Sequence, residues 1–248
     1  MGIRLSEITY KEAKTLLNEE TIIVLPISGG TKEHGYHLPL GTDMYVVDWI
    51  VDRLVERCNI VALPIVSYAY YPAFVDFIGS VSISSEVFMH HTRDIIVSFA
   101  KFGVKKFLIV DGGVSTHNPL KVLASDLHNA YGITVGVTDI IGLGSEVEAK
   151  LLEQEKGGHA DESETSCMLY IKPDLVHMDE AVEEYRTGIK GAFYNGVKKV
   201  HVAGKMTTPH GIHGNATLAT AEKGRQIMEA KVDDIVRFLE NLESYEVS

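Results

Sequence analysis

Glu33, His34, His37 and Asp43 fall within eleven residues, in the run Ser28-Gly29-Gly30-Thr31-Lys32-Glu33-His34-Gly35-Tyr36-His37-Leu38-Pro39-Leu40-Gly41-Thr42-Asp43. Imidazole nitrogens with carboxylate oxygens are the donor set that suits zinc, manganese or iron. The glycines allow tight turns, so that close-spaced side chains can converge. The run follows directly on an apolar stretch, where so much charge is expensive to bury without a ligand. Asp43 has a second available role, as N-cap of the helix that follows.

Three further segments carry similar chemistry. Asp111-Gly112-Gly113-Val114-Ser115-Thr116-His117-Asn118-Pro119 offers His117, either as a ligand from a second loop or as a surface histidine at a helix start. His159-Ala160-Asp161-Glu162-Ser163-Glu164-Thr165-Ser166 offers His159 and Glu164. On a regular helix these two lie about one and a half turns apart and point different ways, so they converge only if the segment begins irregularly. The alternative is an acidic, solvated helix start, which the helix dipole favours. Thr208-Pro209-His210-Gly211-Ile212-His213-Gly214-Asn215 reads as a loop at the surface, or one that reaches a pocket or a neighbouring subunit.

Alternating strands and helices must position these segments. Residues 22–27 are wholly apolar, as expected of a strand covered on both faces. Residues 43–57 follow with a helical stripe of Val47, Ile50, Val51 and Leu54. A second apolar run covers 60–66, and a helix is predicted over 84–102, with Ser84 and Ser85 as N-cap candidates and Gly103 at its end. A strand at 106–110, a helix at 119–131 and a strand at 133–137 continue the pattern. Helices are predicted at 159–171 and 219–242, while 181–203 stays unassigned. This order implies a mainly parallel sheet with helices on both faces, and ligands beyond the carboxyl ends of its strands, in the loops after Ile27, Val66, Val110 and Val137.

The 248 residues suit one domain, 1–248, because nothing in the middle reads as a linker. The formal net charge of −11, with no basic run longer than the pairs Lys105-Lys106 and Lys198-Lys199, argues against nucleic-acid and anionic-membrane partners. Two cysteines, Cys58 and Cys167, lack metal or disulfide spacing, and no apolar leader or membrane-length run is present. A cytoplasmic, soluble protein acting on a small molecule is the expectation.

These segments resemble the creatininase family, the creatinine amidohydrolases and their relatives. His34-Gly35, His37-Leu38-Pro39 and Asp43 match the signature E-x-H-G-x-H-L-P-x-x-x-D, and Gly79-Ser80-Val81-Ser82-Ile83 is similar to G-T-I-S-L. His159-Ala160 with Glu164-Thr165-Ser166 resembles H-A-G-x-x-E-T-S. Gly214-Asn215 with Ala219-Thr220-Ala221-Glu222-Lys223-Gly224 resembles G-D-P-x-x-A-T-A-E-K-G. The matches run in order from about residue 20 to 230.

The resemblance implies a three-layer α/β/α fold with a mainly parallel central sheet. It also implies hydrolysis of a small amide or cyclic amide by metal-activated water, and a homo-oligomer for which a hexamer is one candidate form. It makes His34 and Asp43 metal ligands, with Asp43 bridging, and has Glu164 and His159 complete the site or move protons. The metal would be zinc, manganese or iron, one or two per subunit.

Two positions depart from the family pattern. Lys32 stands where the signature has glutamate, so either Glu33 swings into the ligand place or Lys32 lies in the site and holds an anionic group. Gly113 stands where relatives carry the histidine of N-G-H-G-G-N, leaving His117 as the candidate substitute. The alternatives are a hydrolase or lyase of another small polar ring, such as a sugar-derived one, and a non-catalytic member that has lost its metal ligands.

Overall fold

Alternate residues of strand β2, Ile22–Ile27, enter opposite cores: Ile22 and Val24 one, Ile23, Leu25 and Ile27 the other. Strand β4, Lys106–Asp111, does the same with Leu108 and Val110 against Phe107 and Ile109. Both strands are apolar throughout because the sheet is covered on both faces. The computed structural model describes residues 1–186, 193–194, 197–198 and 208–243. Of the unassigned stretch 181–203, the part not included in those ranges lies outside the described residues.

The two strands pair in parallel from Ile22 opposite Lys106 to Ile27 opposite Asp111, at the centre of a five-stranded sheet. β1 (Ile3–Arg4), β3 (Val61–Ala62) and β5 (Thr134–Val137) complete it in the order β1-β3-β2-β4-β5, and every pairing is parallel. The predicted 60–66 strand is short, and an isolated bridge between Ile27 and Val66 extends its line.

Helices α2 (Thr42–Arg57), α6 (Glu162–Ile171) and α7 (Ala221–Glu243) share one core, through residues such as Ile50, Leu54, Met168, Met228 and Val232. Helices α3 (Ser85–Ala100) and α4 (Val114–Tyr131) share the other, through Phe88, Ile96, Leu120, Leu123 and Leu127. This is the three-layer α/β/α arrangement. Two short helices, α1 (Tyr10–Leu16) and α5 (Ser145–Leu151), flank it, and the short strand β6 (Glu183–Glu184) pairs antiparallel with Gly214–Asn215. Among the described residues no helix is long and apolar enough to cross a membrane.

α2 follows β2 onto one face and α4 follows β4 onto the other, so a crevice opens between the carboxyl ends of two adjacent strands. Two helices start earlier than expected. Gly41, not Asp43, precedes α2, which places Asp43 inside the first turn. α4 begins at Val114, five residues before Pro119, because Gly113 provides the extended residue before the first turn. His117 therefore belongs to the helix and not to a loop. Ser84 caps α3 as expected, its side chain accepting from Val87 N.

Candidate metal centre and active site

The loop after β2 is pinned along its length. Gly30 N donates to Ser67 O at 2.7 Å, Lys32 N to Leu40 O at 2.9 Å, and Glu33 N to Ser80 Oγ at 2.9 Å. Lys32 then points inward. Its Nζ lies 2.7 Å from Asp43 Oδ2, with side-chain exposures of only 7% and 5%. The same ammonium sits 5.2 Å from the ring centre of Tyr71 and 5.0 Å from that of Phe74, a cation–π setting on two sides. Burial pushes the Asp43 carboxyl up, but Lys32 and then His34 outweigh it and hold the group well below the usual carboxylate range.

His34 Nε2 is 2.8 Å from Asp43 Oδ1, and its Nδ1 is 2.9 Å from the carbonyl of Lys32. A carbonyl only accepts, so Nδ1 carries a proton. Nε2 can then approach a carboxylate oxygen in two ways: as the second N–H of an imidazolium, or as a lone pair beside a cation that both atoms share. His159 repeats the pattern. Its ring is held well below its ordinary value, first by burial and then by His34, and stays neutral. Nε2 is 3.2 Å from Glu33 Oε2, and Nδ1 is 3.8 Å from Glu164 Oε2. With the proton on Nε2, facing the nearer carboxylate, the Nδ1 lone pair looks across a gap at Glu164. The two imidazoles lie 4.8 Å apart, centre to centre.

His159 and Glu164 converge because α6 does not begin at His159. Ala160 has φ of 48°, a left-handed conformation uncommon for a residue with a side chain. Asp161 is the extended N-cap, accepting from Ser163 N and Glu164 N through one oxygen and from Gly158 N and Gln154 Nε2 through the other. Glu164 Oε2 reaches back to accept from Ala160 N at 2.5 Å. The acidic start is not a solvated face. Asp161 and Glu162 are buried, and Glu162 accepts from Glu153 N, Gln154 N and Lys223 Nζ.

The structure thus brings together Lys32, Glu33, His34, Asp43, His159 and Glu164. Glu33 does not take the place beside Asp43; it accepts from Gly35 N and faces His159. Burial raises its carboxyl above the ordinary value. His117 stands apart, its Nδ1 3.9 Å from Asp111 Oδ2. His37 is buried against Thr165 Oγ1 at 2.8 Å and pushed down to about 4 by burial and His34, a neutral tie between the loop and α6. His210 pairs with Glu184, and His213 exchanges backbone hydrogen bonds with His159.

Two residues carry more weight than their sequence suggested. Tyr71, one of five aromatics in 68–77, is buried with an unpartnered hydroxyl, and burial plus the carboxylates of Asp43 and Asp111 hold its pKa well above 10. Asp111, at the tip of β4, accepts from Thr116 Oγ1 and Gly113 N through Oδ1 and leaves Oδ2 without a hydrogen bond. Its only sequence signal is a carboxylate ending an apolar strand before two glycines.

A cavity of about 310 Å³ opens over these groups, lined by Lys32, Tyr71, Phe74, His159, Glu164, Arg186 and His213. His34, His159 and Glu164 offer ligand atoms that all lie within 4.8 Å of one another. Two imidazoles and a carboxylate, with Asp43 Oδ1 beside His34 and two ring nitrogens facing acceptors, fit one divalent ion of the zinc, manganese or iron type.

Comparison with known proteins shows the family and the fold. The family model described as Creatininase: Creatinine amidohydrolase matches residues 6–239. The 3-dehydro-scyllo-inosose hydrolase of Thermotoga maritima is 26% identical over 97% of this chain and 84% of its own length. The mycofactocin precursor peptide peptidase of Mycobacterium tuberculosis is 27% identical, covering 87% of this chain and 83% of its own. A crystal structure of creatinine amidohydrolase superimposes with a TM-score of 0.81 at 23% identity, over 99% of both chains. A manganese creatininase gives 0.77 at 22% identity, over 97% of this chain and 98% of that one.

Proposed function

From the premise that this chain belongs to the creatininase family of hydrolases, we propose that it hydrolyses a small amide or cyclic amide with a divalent ion held by His34, Asp43, His159 and Glu164. The observation that carries this reading is the convergence of ligand atoms of His34, His159 and Glu164, from two separate segments, beside the buried Asp43 carboxylate, with His159 and Glu164 lining one cavity. A volume of about 310 Å³ suits a small molecule. When bound, an ion of this kind supplies Lewis acidity to a carbonyl and makes water more acidic.

The protein's own groups do the rest. Glu33 accepts the Nε2 proton of His159 and so fixes the ring with Nδ1 toward Glu164, an outer carboxylate orienting an inner imidazole. Glu164, at 33% side-chain exposure, is the carboxylate that water in the cavity can reach, and it is placed to accept a proton and return it to a leaving nitrogen. Lys32 holds a fixed positive charge in the cavity wall, where it steadies negative charge that develops on a carbonyl oxygen. Phe74 packs on His159 at 4.5 Å between ring centres and keeps bulk water from that side.

A second reading is hydrolysis of a sugar-derived ring ketone. It is favoured by two cationic residues in the cavity wall, Lys32 and Arg186, and by the inosose hydrolase relative. We further propose a homo-oligomer, since an apolar trough of about 580 Å³ lined by Leu63, Ile65, Tyr68, Val87 and Phe99 suits cover by a second copy.

A substrate panel tests these readings. Small linear and cyclic amides, polyhydroxylated ring ketones and short peptides would be offered to the metal-loaded protein, with and without chelator. Turnover of an amide that chelation abolishes and manganese or zinc restores is the expected result. Turnover of ring ketones alone selects the second reading. Absence of both bound metal and turnover leaves a non-catalytic member and overturns both.

A further inference from the structure

We propose that Lys32 is the built-in second cation of this centre, so that each subunit takes up one divalent ion and its own ammonium occupies the other side of the Asp43 carboxylate. The inference rests on the reading of His34, His159 and Glu164 as a metal centre, and concerns how many ions that centre accepts.

Asp43 uses its two oxygens in opposite directions. Oδ1 lies 2.8 Å from His34 Nε2, on the side of the ligand cluster, and Oδ2 lies 2.7 Å from Lys32 Nζ. A carboxylate arranged in this way would bridge two positive centres, one of them covalently attached to the chain. The ammonium cannot leave easily. Its side chain is 7% exposed, with Tyr71 and Phe74 at 5.2 and 5.0 Å, and its backbone carbonyl accepts from His34 Nδ1. One residue therefore both orients a ligand and neutralises the bridging carboxylate.

The surroundings of Nζ offer little to a metal ion. Two of its neighbours are aromatic faces. The position in the next loop where a third ligand could project is Gly113. A Cβ built there would stand 2.6 Å from Tyr71 Cε1 and 2.7 Å from Thr116 Oγ1, so the tyrosine ring already fills that space. Asp111, the carboxylate of that loop, has Oδ1 committed to Thr116 and Gly113 and only Oδ2 free of a hydrogen bond. A divalent ion entering beside Asp43 Oδ2 would meet a fixed ammonium, with Asp111 Oδ2 as the one carboxylate oxygen of that loop free of a hydrogen bond to offset its charge.

Metal counting on the full chain tests this without any substrate. The protein is stripped, loaded with manganese, dialysed, and analysed by elemental analysis and electron paramagnetic resonance. One ion per subunit with an uncoupled manganese(II) spectrum is expected. Two ions per subunit, or an exchange-coupled pair, overturns the role of Lys32 while leaving the metal centre standing. No ion at all overturns the metal centre itself. Lys32→Glu, which removes the ammonium and adds a carboxylate, is expected to raise the content toward two with a coupled spectrum. A folded K32E protein that stays at one ion overturns the proposal. The stoichiometry and spectrum of the unsubstituted protein decide the matter should K32E not fold.

Discussion

Asp43, shared between the Lys32 ammonium and the His34 ring, is exposed to the loss of either partner. Asp43→Ala leaves a buried ammonium unpaired, which costs roughly 3–5 kcal/mol when one side of such a pair is removed. We expect that variant to lose both bound metal and stability, read by elemental analysis and by a fall in the urea midpoint. His34→Ala removes a ligand but leaves Lys32 and Asp43 paired, so metal content should fall with a much smaller change in midpoint. Glu33→Ala touches the centre through His159 and should weaken metal binding by about 10–100-fold, the usual effect of losing an orienting outer group. A titration with a competing chelator measures it, and unchanged affinity would show that Glu33 does not orient His159.

The start of α6 shows what an element must do to deliver a side chain. Asp161 ties down two N–H groups of the first turn and two donors from 154–158, and Ala160 takes a left-handed conformation to pass His159 back over Glu164. Asp161→Ala should cost at least about 2 kcal/mol, a cap plus buried donors left without an acceptor. Because Glu164 moves with the turn, metal affinity should fall in the same variant. Urea unfolding and chelator competition check the two effects, and a loss of stability with unchanged affinity would separate the cap from the centre. The junction of α6 and α7 is equally tight: a Cβ at Gly224 would lie 1.9 Å from Ser166 O, a contact no side chain tolerates without backbone movement.

Across the whole molecule, stability should carry a pH signature from Asp111. Burial raises its carboxyl from the ordinary value of 3.8 to about 7, with Asp43 and Asp139 adding to the shift. The folded state therefore binds a proton that the unfolded state has lost between about pH 4 and 7. The associated stability is complete below the unfolded value and disappears as pH rises through the folded one. Thermal midpoints of metal-free protein should accordingly decline across that window, and Asp111→Asn should flatten the decline. An unaltered slope in D111N would place the titration elsewhere. The apolar trough beside β3 makes a second whole-molecule expectation, a light-scattering mass that is a multiple of the chain's own.

Periodicity determined the layers of this protein from sequence. The apolar runs at 22–27 and 106–110 and the stripe of α2 reflect local geometry, two residues per strand repeat and about 3.6 per helical turn, and they appear in the structure as read. Ordered motifs likewise pointed to the family without coordinates. Three matters depended on tertiary contact. Whether Lys32 turned in or out turned on the aromatic faces of Tyr71 and Phe74, 39 and 42 residues away in sequence, which no spacing rule connects to it. Whether His159 met Glu164 depended on one left-handed alanine and a cap whose partners come from the preceding loop. His117, chosen for its type and position, was carried to Asp111 because α4 starts at Val114, and a helix start is set by which residue is extended before it. Local physics decides which elements form; the choice among nearby charged side chains is made by burial and by distant partners, and these exist only once the chain has folded.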